Sequence, residues 1–259
     1  MSTIHFRNWP GNPDRPALAL HCMLGSGRYW GPIVDRLNDR ITLTAFDFPG
    51  HGRSAPWEKA ADGPDFHTTI TRIAASQIDR PLDLIGHSGG ATVALRIAVA
   101  APDAVRSLTL IEPVMFAAAH DPIQSLLDRD MLDLMEAGKV EEATRHFVDM
   151  WGGQPYDQLS EAAQTLMRQQ IHLLVDMIPT LADDTANILR EGGLEAIDAP
   201  VMIMTGAESP PAIHAVSQAL AHRLPDVGQA SVPGAGHMLP ITHPDEVAGL
   251  IAVNLDRAA

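Results

Sequence analysis

One pentapeptide, Gly86-His87-Ser88-Gly89-Gly90, constrains this chain more than any other stretch. Before it come Pro81 and a short, mostly apolar run, Leu82-Asp83-Leu84-Ile85; after it, Ala91 to Ala100 has the composition of a helix and is stopped by Pro102. A buried strand therefore turns directly into a helix, with a serine at the junction. Such a turn crowds the residues two before and two after the serine, and glycine at both places removes the obstructing Cβ. The pattern Gly-x-Ser-x-Gly in this setting is a nucleophile elbow. It holds Ser88 above the sheet, beside the free backbone N–H groups of a helix start. Read as a plain glycine-rich turn, the pentapeptide leaves Ser88 unexplained.

Bulk properties set the rest of the frame. The 259 residues fit one large α/β domain with room for an insertion. Hydrophobic residues make up 46% and charged residues 19%, an ordinary globular balance. A net charge of −14 argues against a nucleic-acid partner and disfavours an anionic membrane surface. Cys22 is the sole cysteine, so no intrachain disulfide forms. Met1 to Asn8 lacks a basic segment followed by an apolar one, and no apolar run is long enough to span a bilayer. These features predict a cytoplasmic address, with no membrane partner. Neither zinc-type cysteine pairs nor a phosphate-binding Gly-x-x-x-x-Gly-Lys loop is present. No metal or organic cofactor is expected, and the predicted partner is a small-molecule substrate. The sequence leaves a homo-oligomer open without predicting one.

Apolar runs alternate with helical patterns, which predicts a mostly parallel sheet with helices on both faces. Ile4 to Trp9 and Ala17 to His21 read as an opening hairpin around Gly11-Asn12-Pro13-Asp14. Further strands are expected at Ile41 to Phe46, Leu82 to Ile85, Leu108 to Ile111, Val201 to Met204 and Gln229 to Val232. Helices are expected at Tyr29 to Leu37, His67 to Ile78, Gly89 to Ala100, Ala212 to His222 and Pro244 to Leu255. Between Glu112 and Ala199 the alternation breaks into helical spacing at Pro122 to Ala137, Val140 to Trp151 and Glu161 to Ile178. The expected division is a core of residues 1–115 and 196–259 with a helical cap of residues 116–195.

Four segments in order carry a resemblance that covers the chain outside the helical insertion. They are His21-Cys22-Met23-Leu24-Gly25-Ser26-Gly27, Asp47-Phe48-Pro49-Gly50-His51-Gly52-Arg53-Ser54, the Ser88 pentapeptide, and Gly234-Ala235-Gly236-His237-Met238. In these the chain resembles the lid-bearing members of the α/β-hydrolase superfamily. The resemblance implies the α/β-hydrolase fold, with a mostly parallel central sheet, helices on both faces and an inserted helical cap. A serine hydroxyl needs a neighbouring imidazole to take its proton. Among the 12 histidines, His237 stands in the family's place for that base, on a glycine-rich loop after the last strand. By resemblance, backbone N–H groups of Met23 and Gly89 hold the oxyanion. The family usually has His-Gly where this chain has His21-Cys22. A left-handed backbone there would strain Cys22.

The acid that steadies the imidazole is harder to place. The family's usual aspartate position, after the Val201 to Thr205 strand, holds Ser209. Glu112, at the end of Leu110-Ile111-Glu112-Pro113, matches an alternative site used by some superfamily members; Glu208 is the second candidate. Glu112 is favoured. The insertion supplies soft apolar side chains, of which Phe116 and Trp151 are the better pocket candidates, with Trp57 at the entrance. Arg129, Arg145, Arg168 and Arg190 are candidate anchors for a substrate carboxylate, and spacing selects none of them. The leading expectation is a serine hydrolase acting on a small, mainly apolar carboxylic ester or lactone through an acyl-enzyme. The alternatives are carbon–carbon bond hydrolysis of a diketone-type substrate, a cofactor-free perhydrolase, and a non-catalytic ligand-binding homologue.

Overall fold

Seven strands form one sheet in the order β1-β3-β2-β4-β5-β6-β7, in a computed structural model that describes residues 3–119 and 122–258. The strands are β1 (Phe6–Trp9), β2 (Pro16–Leu20), β3 (Thr42–Phe46), β4 (Leu82–His87), β5 (Val105–Ile111), β6 (Val201–Gly206) and β7 (Val227–Val232). β1 runs antiparallel to β3; every other pairing is parallel. The ten α-helices among the described residues are α1 (Gly31–Arg36), α2 (Phe66–Ala75), α3 (Gly89–Ala100), α4 (Pro122–Glu136), α5 (Val140–Trp151), α6 (Glu161–Val175), α7 (Ile178–Asp183), α8 (Pro211–Arg223), α9 (Leu239–Thr242) and α10 (Pro244–Arg257). None is long and apolar enough to cross a membrane.

The interior strands are apolar on both faces because both faces are covered. Side chains alternate along each strand, so Leu18 and Leu20 of β2 join Leu84, Ile203 and the α3 residues Ala94 and Leu95 in one cluster. Ala17 and Ala19 face the other way, into a cluster with Trp30, Ile33, Met202, Met204 and the α10 residues Val247 and Ile251. The first cluster also takes in Met115, Trp151, Ile171, Leu173, Met177 and Leu181, from the stretch between β5 and β6. Helices α4 to α7 all lie between β5 and β6 in the chain. Of the expected core of residues 1–115 and 196–259, residues 1, 2 and 259 lie outside the described residues, as do residues 120 and 121 of the expected cap.

Two expectations fail at the level of elements. β1 and β2 do not form a hairpin: β1 pairs only with β3, and β2 lies between β3 and β4. The loop between them runs along the start of β3, where Asn12 N–H donates to Asp39 C=O and a Cβ on Gly11 would meet Ile41 O at 2.1 Å. Burial explains the preference, since Ala17 to Leu20 are fully buried and need strands on both sides, whereas β1 is a half-exposed edge. The helix expected from Glu161 to Ile178 is also broken, into α6 and α7. Pro179 lacks the N–H that a continuous helix would need there and sits instead in the first turn of α7.

Because β2 to β7 are parallel, the loops that follow their carboxyl ends gather along one edge of the sheet. The chain crosses from β3 on one side of β2 to β4 on the other, and a crevice opens at such a reversal.

Candidate active site

Ser88 stands between β4 and α3 with φ 56° and ψ −121°, outside the usual regions for an L-residue. The two flanking glycines permit this. A Cβ on Gly86 would lie 2.4 Å from Gly90 O, and one on Gly90 would lie 2.4 Å from Leu20 O. The N–H of Ser88 donates to Ile111 C=O at 2.9 Å, tying the turn to β5. Its Oγ reaches Nε2 of His237 at 2.9 Å.

His237 arrives on the loop between β7 and α9, 149 residues further along. Its Nδ1 lies 2.9 Å from Glu112 Oε2. With Nδ1–H donating to the carboxylate, Nε2 is left to accept from the Ser88 hydroxyl. Three contacts fix the ring: Glu112 on one nitrogen, the Trp151 indole edge-on at 4.8 Å, and His87 Nε2–H donating to the His237 carbonyl at 2.9 Å.

Glu112 is fully buried at the end of β5, with φ 52°. Besides His237, its carboxylate accepts from Gly206 N–H at 2.6 Å and from Ser209 O–H at 2.8 Å, both on Oε1. Ser209, at the position where the sequence pattern called for an acid, is thus a donor to the acid supplied by β5. Sequence reasoning missed this role for Ser209 and Gly206, although the signal was there: a hydroxyl where a carboxylate was expected implies a carboxylate nearby. A side chain on Gly206 would place Cβ 2.3 Å from Ala235 O, in the loop that carries His237. Glu208, the second candidate acid, is exposed, and only its backbone N–H is engaged there, with Ala235 C=O. It turns outward because the β6 loop presents Ser209, not its neighbour, to the interior.

The backbone N–H groups of Met23 and Gly89 donate to no protein group among the described residues. Gly89 N–H lies at the positive end of α3. The two residues adjoin: a Cβ on Gly89 would be 3.3 Å from Met23 Cγ. The left-handed residue on the β2 loop is Leu24 (φ 60°), and Cys22 is not among the strained positions. The anticipated strain at Cys22 is therefore absent. Burial, the largest influence, pushes its thiol up to about 12, so it is no nucleophile at neutral pH.

Three buried histidines brace the loops. His21 accepts from Phe48 N–H at 2.8 Å and stacks on the Phe48 ring. His51 accepts from Leu24 N–H at 3.1 Å, linking the Asp47 to Ser54 loop to the Met23 loop. His87 Nδ1 pairs with Tyr29 OH, which accepts from Cys22 N–H. Desolvation, the dominant cause in all three, holds His21 and His87 well below the usual imidazole range and His51 at about 4.

Above Ser88 lies a pocket of about 630 Å³, mouth included. Its walls are mainly apolar and include Met23, Phe116, Met131, Phe147, Met150 and Trp151. Phe116 and Trp151 pack together at 6.0 Å. Trp57 does not belong to this pocket, contrary to expectation. It packs on Phe66 at 4.9 Å and borders a separate groove with Gly50 and Gln170, where Gln170 Nε2 donates to the Gly50 carbonyl at 2.9 Å. None of Arg129, Arg145, Arg168 and Arg190 lines the pocket. Arg145 pairs with Asp157, Arg168 donates to Tyr156 OH at 2.8 Å, and Arg190 donates to Val99 C=O at 2.6 Å. Among the described residues, no cluster of three His, Cys, Asp or Glu side chains is arranged to hold a metal ion.

Comparison with known proteins agrees with this architecture. A family model described as "Alpha/beta hydrolase family" matches residues 17–250. Lipase LipV of Mycobacterium tuberculosis is 28% identical over 263 residues, covering 97% of each chain. The 2-(acetamidomethylene)succinate hydrolase of Mesorhizobium japonicum is 28% identical over 235 residues, covering 88% of this chain and 83% of its own. The fold is also that of MGS-M2, an alpha/beta hydrolase enzyme from a Medee basin deep-sea metagenome library. That structure superimposes with a TM-score of 0.79 at 15% identity, over 98% of this chain and 94% of the other.

Proposed function

This chain belongs to the alpha/beta hydrolase family, and from that premise we propose that it is a serine hydrolase cleaving a small, mainly apolar carboxylic ester or lactone. One observation carries the reading: Ser88, His237 and Glu112, from three distant parts of the chain, meet in one buried hydrogen-bonded line.

Ser88 Oγ attacks the ester carbonyl as His237 Nε2 takes its proton. The imidazolium keeps its Nδ1–H on Glu112, whose charge stabilises it. The carbonyl oxygen becomes an oxyanion and is met by the Met23 and Gly89 N–H groups, each such donor being worth about 10²–10³ in rate. Collapse breaks the C–O bond to the leaving alcohol, which takes the proton from His237 Nε2. A water molecule, giving its proton to the same nitrogen, then attacks the acyl-enzyme and releases the acid with Ser88 restored. The apolar walls fit a mainly apolar substrate and exclude competing water. An intact, hydrogen-bonded base and acid speak against a non-catalytic binder. Relatives with lipase and hydrolase names support the general class. A cytoplasmic site of action and a helical cap over residues 116–195 are part of the same reading.

A fluorophosphonate probe tests it. Intact-mass analysis is expected to show one adduct per chain, on the peptide containing Ser88 and lost in Ser88→Ala. A folded protein that stays unlabelled would contradict the reading.

A further inference from the structure

We propose that His146 recognises an oxygen-bearing group on the substrate, a hydroxyl, keto or carboxylate oxygen carried well away from the bond that is cut. This inference rests on the reading of the Ser88 pocket as the substrate site.

His146 lines that pocket from α5. Ser88, His237 and the Trp151 indole aside, it is the one described lining residue whose side chain carries nitrogen or oxygen. Its Nε2 is shut away from solvent and has no hydrogen-bond partner among the described residues. A buried ring nitrogen without a partner is costly and uncommon in folded proteins. Both nitrogens of the buried His51, His87 and His237 are engaged; His5 Nε2 and Trp30 Nε1 share the lack of a partner with His146, but neither residue lines the pocket. At His146 the partner is missing on a side chain that lines the substrate pocket. An oxygen on the substrate supplies it, whether as acceptor for Nε2–H or as an O–H donor to the bare nitrogen.

The helix sets where that oxygen lies. His146, Phe147, Met150 and Trp151 all line the pocket and share one face of α5 at the i, i+1, i+4, i+5 spacing. Trp151 packs against the His237 ring, at the reacting end. His146 is five residues earlier on the same helix, or ~7.5 Å along its axis. The pocket is therefore apolar between a reactive end and a distant polar point. A purely aliphatic chain would fill the middle and leave Nε2 unpaired. The guanidinium groups that might have served a charged substrate are all engaged elsewhere or exposed, so recognition of the distal oxygen falls to the imidazole.

Matched substrates test this. The kcat/KM values of p-nitrophenyl hexanoate, ω-hydroxyhexanoate and the adipate half-ester are compared in the wild type, His146→Phe and His146→Gln. A second pair, hexyl acetate and hexanediol monoacetate, reads the same contact from the alcohol side. The wild type is expected to favour at least one oxygenated partner by about 10- to 100-fold over its plain counterpart. His146→Phe is expected to collapse that ratio to within about threefold, and His146→Gln, which can still hydrogen-bond, to keep part of it. A wild type with no such preference, or a folded His146→Phe that retains it, would overturn the proposal. Calorimetric binding of the same esters to Ser88→Ala, with and without His146→Phe, gives the ratio without turnover. Should the wild type hydrolyse none of these esters, the Ser88 reading fails, while the binding ratio still decides the role of His146.

Discussion

Glu112 shows how a single residue can carry a site that its neighbours in sequence do not announce. It is a carboxylate fully buried at a strand end, in a left-handed conformation, with three donors around it. Strain of this kind persists only where the surroundings enforce it, and Ser88 and Leu24 share it on adjoining loops. Replacing Glu112 by Gln leaves an amide that can offer the wrong group to His237 Nδ1. Steady-state kinetics on an aryl ester should then show kcat lowered by about 10³- to 10⁴-fold. Glu208→Gln, on an exposed side chain, should stay within about twofold, as surface changes do. Collapse of the second variant with the first unharmed would transfer the acid role to Glu208. At this scale much could be read in advance. Ser88 and His237 were marked by glycine-rich motifs that only make sense around a reactive side chain. His146 was not, because an unpaired ring nitrogen is a property of packing, invisible in a string of residues; Ser209 carried a partial signal, a hydroxyl where an acid was expected, which pointed to a carboxylate nearby without saying which.

At the scale of elements, close backbone approach is the recurring device. α3 rises from Ser88 hard against β2, and Gly90 leaves no room for a side chain: its Cβ would sit 2.6 Å from His21 O as well as 2.4 Å from Leu20 O. Neither atom belongs to a flexible side chain, so the overlap is relieved only by moving α3 or β2. Gly90→Ala should therefore cost several kcal/mol, at or beyond the roughly 4 kcal/mol that marks an exceptional single substitution, and thermal melting should reveal it as a large drop or as insoluble protein. A melting temperature within a few degrees of wild type would show that the elbow has slack. The same scale is where sequence reading was weakest. Strand and helix identities followed from period and from Pro and Gly punctuation, as with α3, α5 and α10. Pairing did not: β1 and β2 adjoin in sequence and looked like a hairpin, but the buried β2 satisfies two neighbours that come from far along the chain. The break before Pro179 was legible in principle, since proline cannot continue a helix, but the apolar run across it masked the stop.

Across the whole molecule, four neutral imidazoles buried in loops and helix contacts couple stability to pH. His67 joins His21, His51 and His87: burial, with the nearby Arg96 second, holds it at about 3. In the unfolded chain such groups take up protons near pH 6.5, whereas His51 and His67 in the fold do so only near 4 and 3. Between these limits the unfolded chain binds more protons, so stability falls as pH falls. Each group contributes up to roughly 1.4 kcal/mol per pH unit, a contribution fully present above the unfolded value and lost on acidification through the window. Melting followed by circular dichroism should thus be steady from pH 8 to 7 and drop steeply from about pH 6.5 toward 4. A flat profile through that range would mean that the imidazoles are protonated in the fold or less enclosed than their packing indicates. Because the loops that lose stability are those holding Met23 and His237, activity should fall with them at the acid end.

The chemistry as a whole stands or falls on whether Ser88 becomes acylated. Rapid acid quenching of the wild type with an activated aryl ester, followed by peptide mass analysis, should find one acyl group on the peptide containing Ser88, and Ser88→Ala should lose at least about 10⁴ in kcat with no adduct. A Ser88→Ala protein that hydrolyses the ester within tenfold of wild type, or an acyl group carried on another residue, would contradict it.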